Sequence, residues 1–505
     1  MLPVNSSFPF LEREQELETL TRFFRGHHRD KANFMFLYGR RGMGKSRLLD
    51  EFLRRQQPER FFYWQAPDSD SVTQLTEFAQ AWSVYVSSTS GTTSTTPPAN
   101  WDSMLEQMAS DIRQFNEPRL IIIENFTGLC HQEMAMSSLW KRIWDMQLQY
   151  LPQLRLILTG DHVSTMVREV LAYSAPFYLR AQYYLHLRSL RFETLITLFP
   201  EWCVEERMLV YAVTGGIPLY LQPFAAAATV RDGLKELLYG QESLFVSEVA
   251  RLFDERLDDP DLCHKLLAGI VAGHHDFDSL VAYANVSGQA IEQALWMLRL
   301  IRFVDENPSV GDPNFSVRVR YGVSEPSLRF YYAHLQPVLA QEMSADAATD
   351  LLLDRLFQSL GQHPFLFLCH EWIWAAYITG QLALNLQRTG PYWQKTANRT
   401  SFQVGGADPD GKRLLVGMTI WENESVKPSL IRQLIQKSQH LPQVRQGWTV
   451  RAILFGRYPF SETIRRMAAE LNVQLVTLAE IEPLLQTARA EIIASWSRPR
   501  PDIPF

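Results

Sequence analysis

The chain has 505 residues, too many for one hydrophobic core, and its 46% hydrophobic and 21% charged residues suit two to four ordinary globular domains. A formal net charge of −6 demands no polyanionic partner, no apolar run approaches the roughly 20 residues that span a bilayer, and the start MLPVNSSFPFLEREQEL lacks the basic and apolar regions of a signal peptide. Cys130, Cys203, Cys263 and Cys369 stand singly, which excludes a CxxC zinc site and predicts reduced thiols in a cytoplasmic protein without a membrane partner.

Between residues 31 and 216, short apolar runs alternate with helical patterns. The runs are residues 34–38, 61–65, 120–123 and 154–159, with a weaker one at 184–187. They are rich in Ile, Leu, Phe or Tyr and lack polar alternation, as strands buried on both faces of a parallel sheet do. Residues 46–56 and 71–83 carry apolar side chains at helical spacing, so a wound α/β domain is predicted. The tract SSTSGTTSTTPPAN, residues 87–100, cannot bury a core and is expected to be a disordered surface loop.

From about residue 219 to 337 the pattern is mostly helical, with helices expected at 242–257, 261–272, 276–284 and 289–300. Strands at 301–306 and 315–321 follow, around a Pro/Gly turn. Three helices and a hairpin make the pattern of a winged helix; a generic helical lid is the alternative. After a polar stretch at 341–349 come a helix, strands 402–405 and 414–420 around the turn Asp408-Pro-Asp-Gly411, helix 428–438, strand 450–455, helix 461–471 and strand 474–478. The expected domains are therefore 1–218, 219–340 and 341–505, the last a small α/β domain.

The stretch FMFLYGRRGMGKSRLLDEF holds G-x-x-x-x-G-K-S at residues 39–46, after an apolar strand and before an amphipathic helix. Gly39, Gly42, Met43 and Gly44 would let backbone N–H groups face phosphate oxygens, with Arg47 next in the helix. Lys45 would reach the β- and γ-phosphates and the Ser46 hydroxyl would ligate Mg²⁺, so ATP with Mg²⁺ is the expected ligand. In RLIIIENFTGL, Glu124 stands where an acid holds the metal through water and Asn125 where a catalytic Glu usually polarises water. An amide can orient water but cannot take its proton, so slow hydrolysis is expected unless a group such as Asp161 substitutes. Thr159 is a candidate γ-phosphate sensor and Arg180 a candidate second cation, in cis or across a subunit interface.

Several separated motifs resemble the archaeal-type P-loop ATPases of the AAA+/STAND superclass, in which a winged helix and a restriction-endonuclease-like domain follow the ATPase. PFLEREQELETL is similar to F-x-x-R-x-x-E-L, which implies that Phe10 and Arg13 lie near the adenine. LTGDHVSTM resembles the sensor strand and loop, and YAVTGGIPLYL resembles G-G-x-P-x-Y-L, adding Gly216 and Pro218 to the cofactor-binding candidates. RYGVSEPSLRFYY resembles the segment that closes the winged-helix region.

The same resemblance implies a PD-(D/E)xK nuclease site in active members, whose carboxylates hold Mg²⁺. Here HPFLFLCHEWI places Leu366 at the first Glu, TSFQV places Ser401 at the Asp, and VGMTIW places Met418 and Ile420 at the Glu and Lys. Glu371, Glu422 and Glu424 remain nearby, but a metal needs converging carboxylates, so an inactive nuclease-like fold kept for binding or assembly is expected.

The leading expectation is an ATP-controlled switch or scaffold, which the resemblance sets among prokaryotic mobile elements or defence. A homo-oligomer, or a protein partner held by the C-terminal domain, would accompany it. The alternative is a DNA-binding winged helix in which ATP drives assembly on double-stranded DNA, with Arg299, Arg302, Arg318 and Arg320 meeting phosphates. An active ATP-dependent nuclease is the third reading.

Overall fold

A computed structural model describes residues 8–26, 30–90, 98–240, 243, 245–250, 252, 259–312, 319–394, 401–422 and 426–496. The chain forms two compact units. The first comprises Met1–Leu190, Ile217–Gln222 and Ala250–Pro260; the second comprises Arg191–Gly216, Pro223–Val249 and Asp261–Phe505. The expected middle and C-terminal domains thus fall mainly within one unit.

In the first unit, strands β1 (Asn33–Tyr38), β2 (Phe61–Gln65), β3 (Arg119–Glu124), β4 (Leu154–Gly160) and β5 (Tyr183–His186) form a parallel sheet in the order β2-β3-β4-β1-β5. All its pairings are parallel. The central strands are buried on both faces, which is why they read as unbroken apolar runs. One face holds Phe34, Phe36, Ile121, Ile123, Leu156 and Leu158 against Trp82, Trp140, Phe126 and Phe177. Aromatic rings lock this core, with Phe34 and Trp144 centroids 4.5 Å apart and Phe36 and Phe177 at 5.3 Å. Helices α1 (Glu14–Arg25) and α2 (Lys45–Gln56) pack against each other through buried apolar stripes that include Leu20, Phe23, Leu48 and Phe52.

The tract expected to be disordered from residue 87 is different at both ends. The helix Ser71–Ser90 continues to Ser90, its later turns held by Ser87, Ser88 and Thr89 hydroxyls bonded back to Ser83 and Tyr85 carbonyls. At the other end Asn100 caps Trp101–Arg113 by accepting from the Ser103 N–H at 2.9 Å. Residues 91–97 lie outside the described residues.

In the second unit, helices Pro260–Val271, Phe277–Ala284 and Gly288–Leu300 precede an antiparallel pair, β6 (Val304–Asn307) and β7 (Arg320–Val323). The C-terminal part adds β8 (Arg388–Thr389), β9 (Tyr392–Trp393), β10 (Ser401–Phe402), β11 (Val404–Asp408), β12 (Arg413–Ile420), β13 (Thr449–Gly456) and β14 (Val473–Thr477). Five of these make a mixed sheet in the order β14-β13-β12-β11-β8, while β9 and β10 pair separately. The expected strand 402–405 is therefore split, with Ser401 on the minor ribbon and Val404 opening β11. The turn at residues 408–411 is held by Asp408, which accepts from the Gly411 N–H at 2.9 Å and pairs with Arg413 at 2.6 Å. No disulfide joins the cysteines, and no described helix is long and apolar enough to cross a membrane.

Candidate nucleotide-binding site

The chain leaves β1 at Tyr38, turns through residues 39–44 and enters α2 at Lys45. Gly42 and Gly44 make that turn at φ +79° and +90°, values that L side chains rarely adopt. A Cβ at Gly42 would lie 2.7 Å from the Leu219 Cβ, whereas nothing stands within 4 Å of one at Gly44. Gly44 is also the N-cap of α2, so no side chain covers the first turn and the positive end of the helix faces the cleft. Lys45 is buried, and its Nζ donates to the carbonyl oxygens of Gly39 at 2.7 Å and Arg40 at 3.1 Å.

A cleft of about 390 Å³ opens over this loop, a size that takes a small organic ligand. Gly42, Met43, Gly44, Lys45, Ser46 and Arg47 line one wall, and Glu124, Asn125, Thr159 and Asp161 stand opposite. The strand order brings these walls together. Because β4 lies between β1 and β3, Thr159 pairs with Leu37 of β1 while the preceding Leu158 pairs with Ile123 of β3. Thr159 thus rises between the phosphate loop and Glu124.

Glu124 ends β3 and is buried, with the Tyr63 hydroxyl of β2 donating to its carboxylate. Burial raises its pKa above the ordinary glutamate range; bonds from Tyr63 and Ser46 and the charge of Lys45 pull it down without cancelling that effect, and Asp161 adds to the rise. A metal held here needs the ionised acid, so Mg²⁺ affinity should strengthen as pH rises through this elevated pKa. Tyr63→Phe removes a bond that favours the carboxylate, which should move the transition to still higher pH. Mg²⁺ titrations of nucleotide binding from pH 5 to 8 check this, and coincident curves for the two proteins would exclude the role of Tyr63.

Asn125 turns out to be occupied. It sits at φ +57°, ψ +41° as the N-cap of Phe126–Gln132, with its side chain accepting from the Gly128 N–H at 3.1 Å. Its Nδ2 donates to the Ala66 carbonyl at 3.3 Å and its backbone N–H to Thr159 Oγ1 at 3.0 Å. The left-handed backbone that asparagine tolerates, and a cap it satisfies, account for this residue type locally. Asp161 is the other acid of the cleft, accepting from Thr127 Oγ1 at 3.3 Å.

At the far end, Phe8, Pro9, Phe10 and Leu11 face Leu190, Pro218 and Leu219, an apolar floor with Gln222 at its edge. Arg13 also lines the cleft, but its guanidinium is spent on the chain. It donates to the Met43 carbonyl at 3.2 Å and the Arg188 carbonyl at 2.7 Å, and pairs with Glu16 at 3.1 Å. Burial lowers its pKa. It ties the N-terminal segment to the phosphate loop, and the Leu219 N–H makes a second tie to the Gly42 carbonyl at 3.2 Å.

Three sequence candidates lie elsewhere. Gly39 shapes the loop rather than lining the cleft, its N–H bonded to the Gly160 carbonyl at 3.2 Å. Gly216 belongs to the other unit, where its N–H donates to Thr214 Oγ1 at 3.3 Å. Arg180 pairs with Asp145 at 3.4 Å and donates to the Tyr178 carbonyl at 2.9 Å, so it is no second cation within this cleft. Sequence reasoning missed Tyr63 and Gln65 of β2, Leu190, and Leu219 and Gln222 of the helix Pro218–Ala226, whose positions carry no spacing relative to the loop.

In the second unit Arg299 pairs with Glu306 at 2.9 Å and the Arg320 guanidinium lies 4.7 Å from the Trp393 ring centroid. Arg302 sits at φ +60° and Arg318 lies outside the described residues. Met418 and Ile420 of β12 pack against the C-terminal core, Leu366 is half-buried on His363–Ile378, and Ser401 is exposed on β10. Glu371 and Glu422 are described and Glu424 is not; among the described residues no group of three or more His, Cys, Asp or Glu is placed to hold a metal ion.

Residues 10–224 match the model of a family described as an ATPase domain predominantly from Archaea. This part of the chain is similar to that ATPase domain and carries its phosphate loop between β1 and α2. Such a domain implies nucleotide binding. Over 333 residues the chain is 26% identical to the uncharacterized protein MJECL04 of Methanocaldococcus jannaschii, covering 66% of this chain and 70% of that protein. Among solved structures it is similar to the Walker-type ATPase PABY2304 of Pyrococcus abyssi, with TM-score 0.46 and 17% identity over 64% of this chain and 96% of that one. It is also similar to Cdc6p of Pyrobaculum aerophilum, with TM-score 0.35 and 15% identity over 70% of this chain and 97% of that one.

Proposed function

We propose that the N-terminal unit is an AAA+-type nucleotide switch that binds ATP with Mg²⁺ and hydrolyses it slowly. The observation that carries this reading is the convergence of a complete phosphate loop with Glu124 and Thr159, beside a position where Asn125 is engaged as a helix cap. The loop backbone and Lys45 hold the phosphates, and the apolar floor from Phe8 to Leu11 takes the base. Ser46 and Glu124 offer the hard oxygen donors that Mg²⁺ prefers, and a buried carboxylate of raised pKa is one that a cation would stabilise. Bound there, Mg²⁺ would neutralise charge on the phosphate oxygens. Thr159, Asp161 and Gln65 are polar groups that can orient a water, but no carboxylate occupies the position after Glu124.

The C-terminal sheet acts in this reading as an inactive nuclease-like scaffold. Met418 and Ile420 support it, because both are apolar and pack against the core where a cleavage site would need charge. The winged-helix route to DNA gains nothing from Arg299 and Arg320, whose charges are engaged within the chain. The purified chain should bind a fluorescent ATP analogue and turn ATP over at well below about one per second, a rate ordinary enzymes exceed. Faster turnover, or Mg²⁺-dependent DNA cleavage, contradicts the proposal.

A further inference from the structure

The last third of the chain carries a charge asymmetry that the nucleotide cleft does not use. Residues 426–461 contain no Asp or Glu, in a chain with 55 of them, yet include Lys427, Arg432, Lys437 and Arg445. All four are exposed. They lie on or beside the helices Pro428–Gln439 and Pro442–Arg445, which pack on β13, and Pro428–Gln439 also packs against Glu462–Glu470, where Arg465 and Arg466 are exposed.

The pattern on Pro428–Gln439 is specific. Ile431, Leu434 and Ser438 are buried, and Ile431 and Leu434 join the C-terminal core. At roughly 100° per residue, the opposite face runs in order Arg432, Gln436, Gln433, Lys437, so two amides form a crest between two cations. All four side chains are exposed. The cations stand roughly 140° apart around the axis. That spacing matches a helix laid in a groove with phosphates on both sides and base edges beneath.

We propose that this helix face binds the major groove and flanking phosphates of double-stranded DNA. A B-form major groove about 12 Å wide admits a helix, whereas that of A-form RNA is too deep and narrow. Single strands are held by stacking on aromatic rings, and neither Pro428–Gln439 nor Glu462–Glu470 contains one. Nor does the crest present apolar side chains to a lipid surface. Arg432 and Lys437 supply phosphate contacts, with Arg465 and Arg466 of the packed helix extending the track. Gln433 and Gln436 supply amides of the kind that pair with adenine edges. The surface is independent of the phosphate loop, so this proposal and the nucleotide reading can fail separately.

The test is fluorescence anisotropy of the full chain with a labelled 30-base-pair duplex at 50–200 mM KCl, without nucleotide. Four phosphate contacts predict a log–log salt slope of about −3.6. Arg432→Glu with Lys437→Glu should weaken binding at least tenfold at the lowest salt and flatten the slope by about 2, with thermal midpoint and nucleotide binding unchanged. Lys45→Ala should leave duplex binding intact. Wild-type affinity in the charge-reversed protein overturns the proposal. Preference for a single strand, for duplex RNA or for anionic phospholipid vesicles of equal phosphate content overturns it as well.

Discussion

Replacing Lys45 with alanine should weaken ATP binding about ten- to a hundredfold while the chain stays folded. Lys45 is a buried ammonium at the mouth of α2, and a charge-assisted bond to phosphate is worth about 1.5–3 kcal/mol. Its present partners within the chain are the carbonyls of Gly39 and Arg40, two bonds of the loop itself. Thermal unfolding gives the readout. At about a hundred times its dissociation constant, ATP should stabilise the wild-type chain by about 2.7 kcal/mol. The same concentration should stabilise Lys45→Ala by only about 0.4–1.4 kcal/mol. Equal ligand-induced shifts in the two proteins would remove the phosphate loop from the mechanism.

The second large effect should come from Asn125. Asn125→Asp keeps an oxygen to accept from the Gly128 N–H and a residue type that tolerates φ +57°. It forgoes the Nδ2 bond to the Ala66 carbonyl and places a carboxylate where the amide cannot accept a proton. A positioned general base contributes a hundredfold or more in enzymes generally (roughly 10²–10⁴). Turnover should therefore rise at least tenfold with little change in ATP affinity. Asn125→Ala should behave oppositely, losing about 1–2 kcal/mol of stability with the cap, with left-handed strain in addition. If the aspartate variant turns over no faster, the amide is not what limits hydrolysis.

These two residues show how unevenly the site could be read. Lys45 was legible because the phosphate loop is contiguous: strand, glycines, Lys-Ser and helix follow one another within a few residues, and local backbone geometry does the rest. The same holds for the buried strands, whose apolar runs mark both-face burial without knowledge of their order. It fails wherever a side chain's partner is remote in sequence. Arg180 looked like a spare cation until Asp145 was brought beside it, and Arg13 looked like an adenine contact until the Met43 and Arg188 carbonyls claimed it. Tyr63 lies 61 residues before Glu124 and carries no pattern that pairs them.

By itself, then, the amino-acid sequence determined the phosphate loop and the α/β alternation, because each rests on spacing along a few neighbouring residues. The tertiary structure decided what surrounds the loop. Only the insertion of β4 between β1 and β3 sets Thr159 between Lys45 and Glu124, since β1 pairs with a strand more than 100 residues further along the chain. Only the packed sheet shows that Asn125 is held as a cap, its amide oxygen bonded three residues ahead and its nitrogen to Ala66 on the neighbouring chain segment.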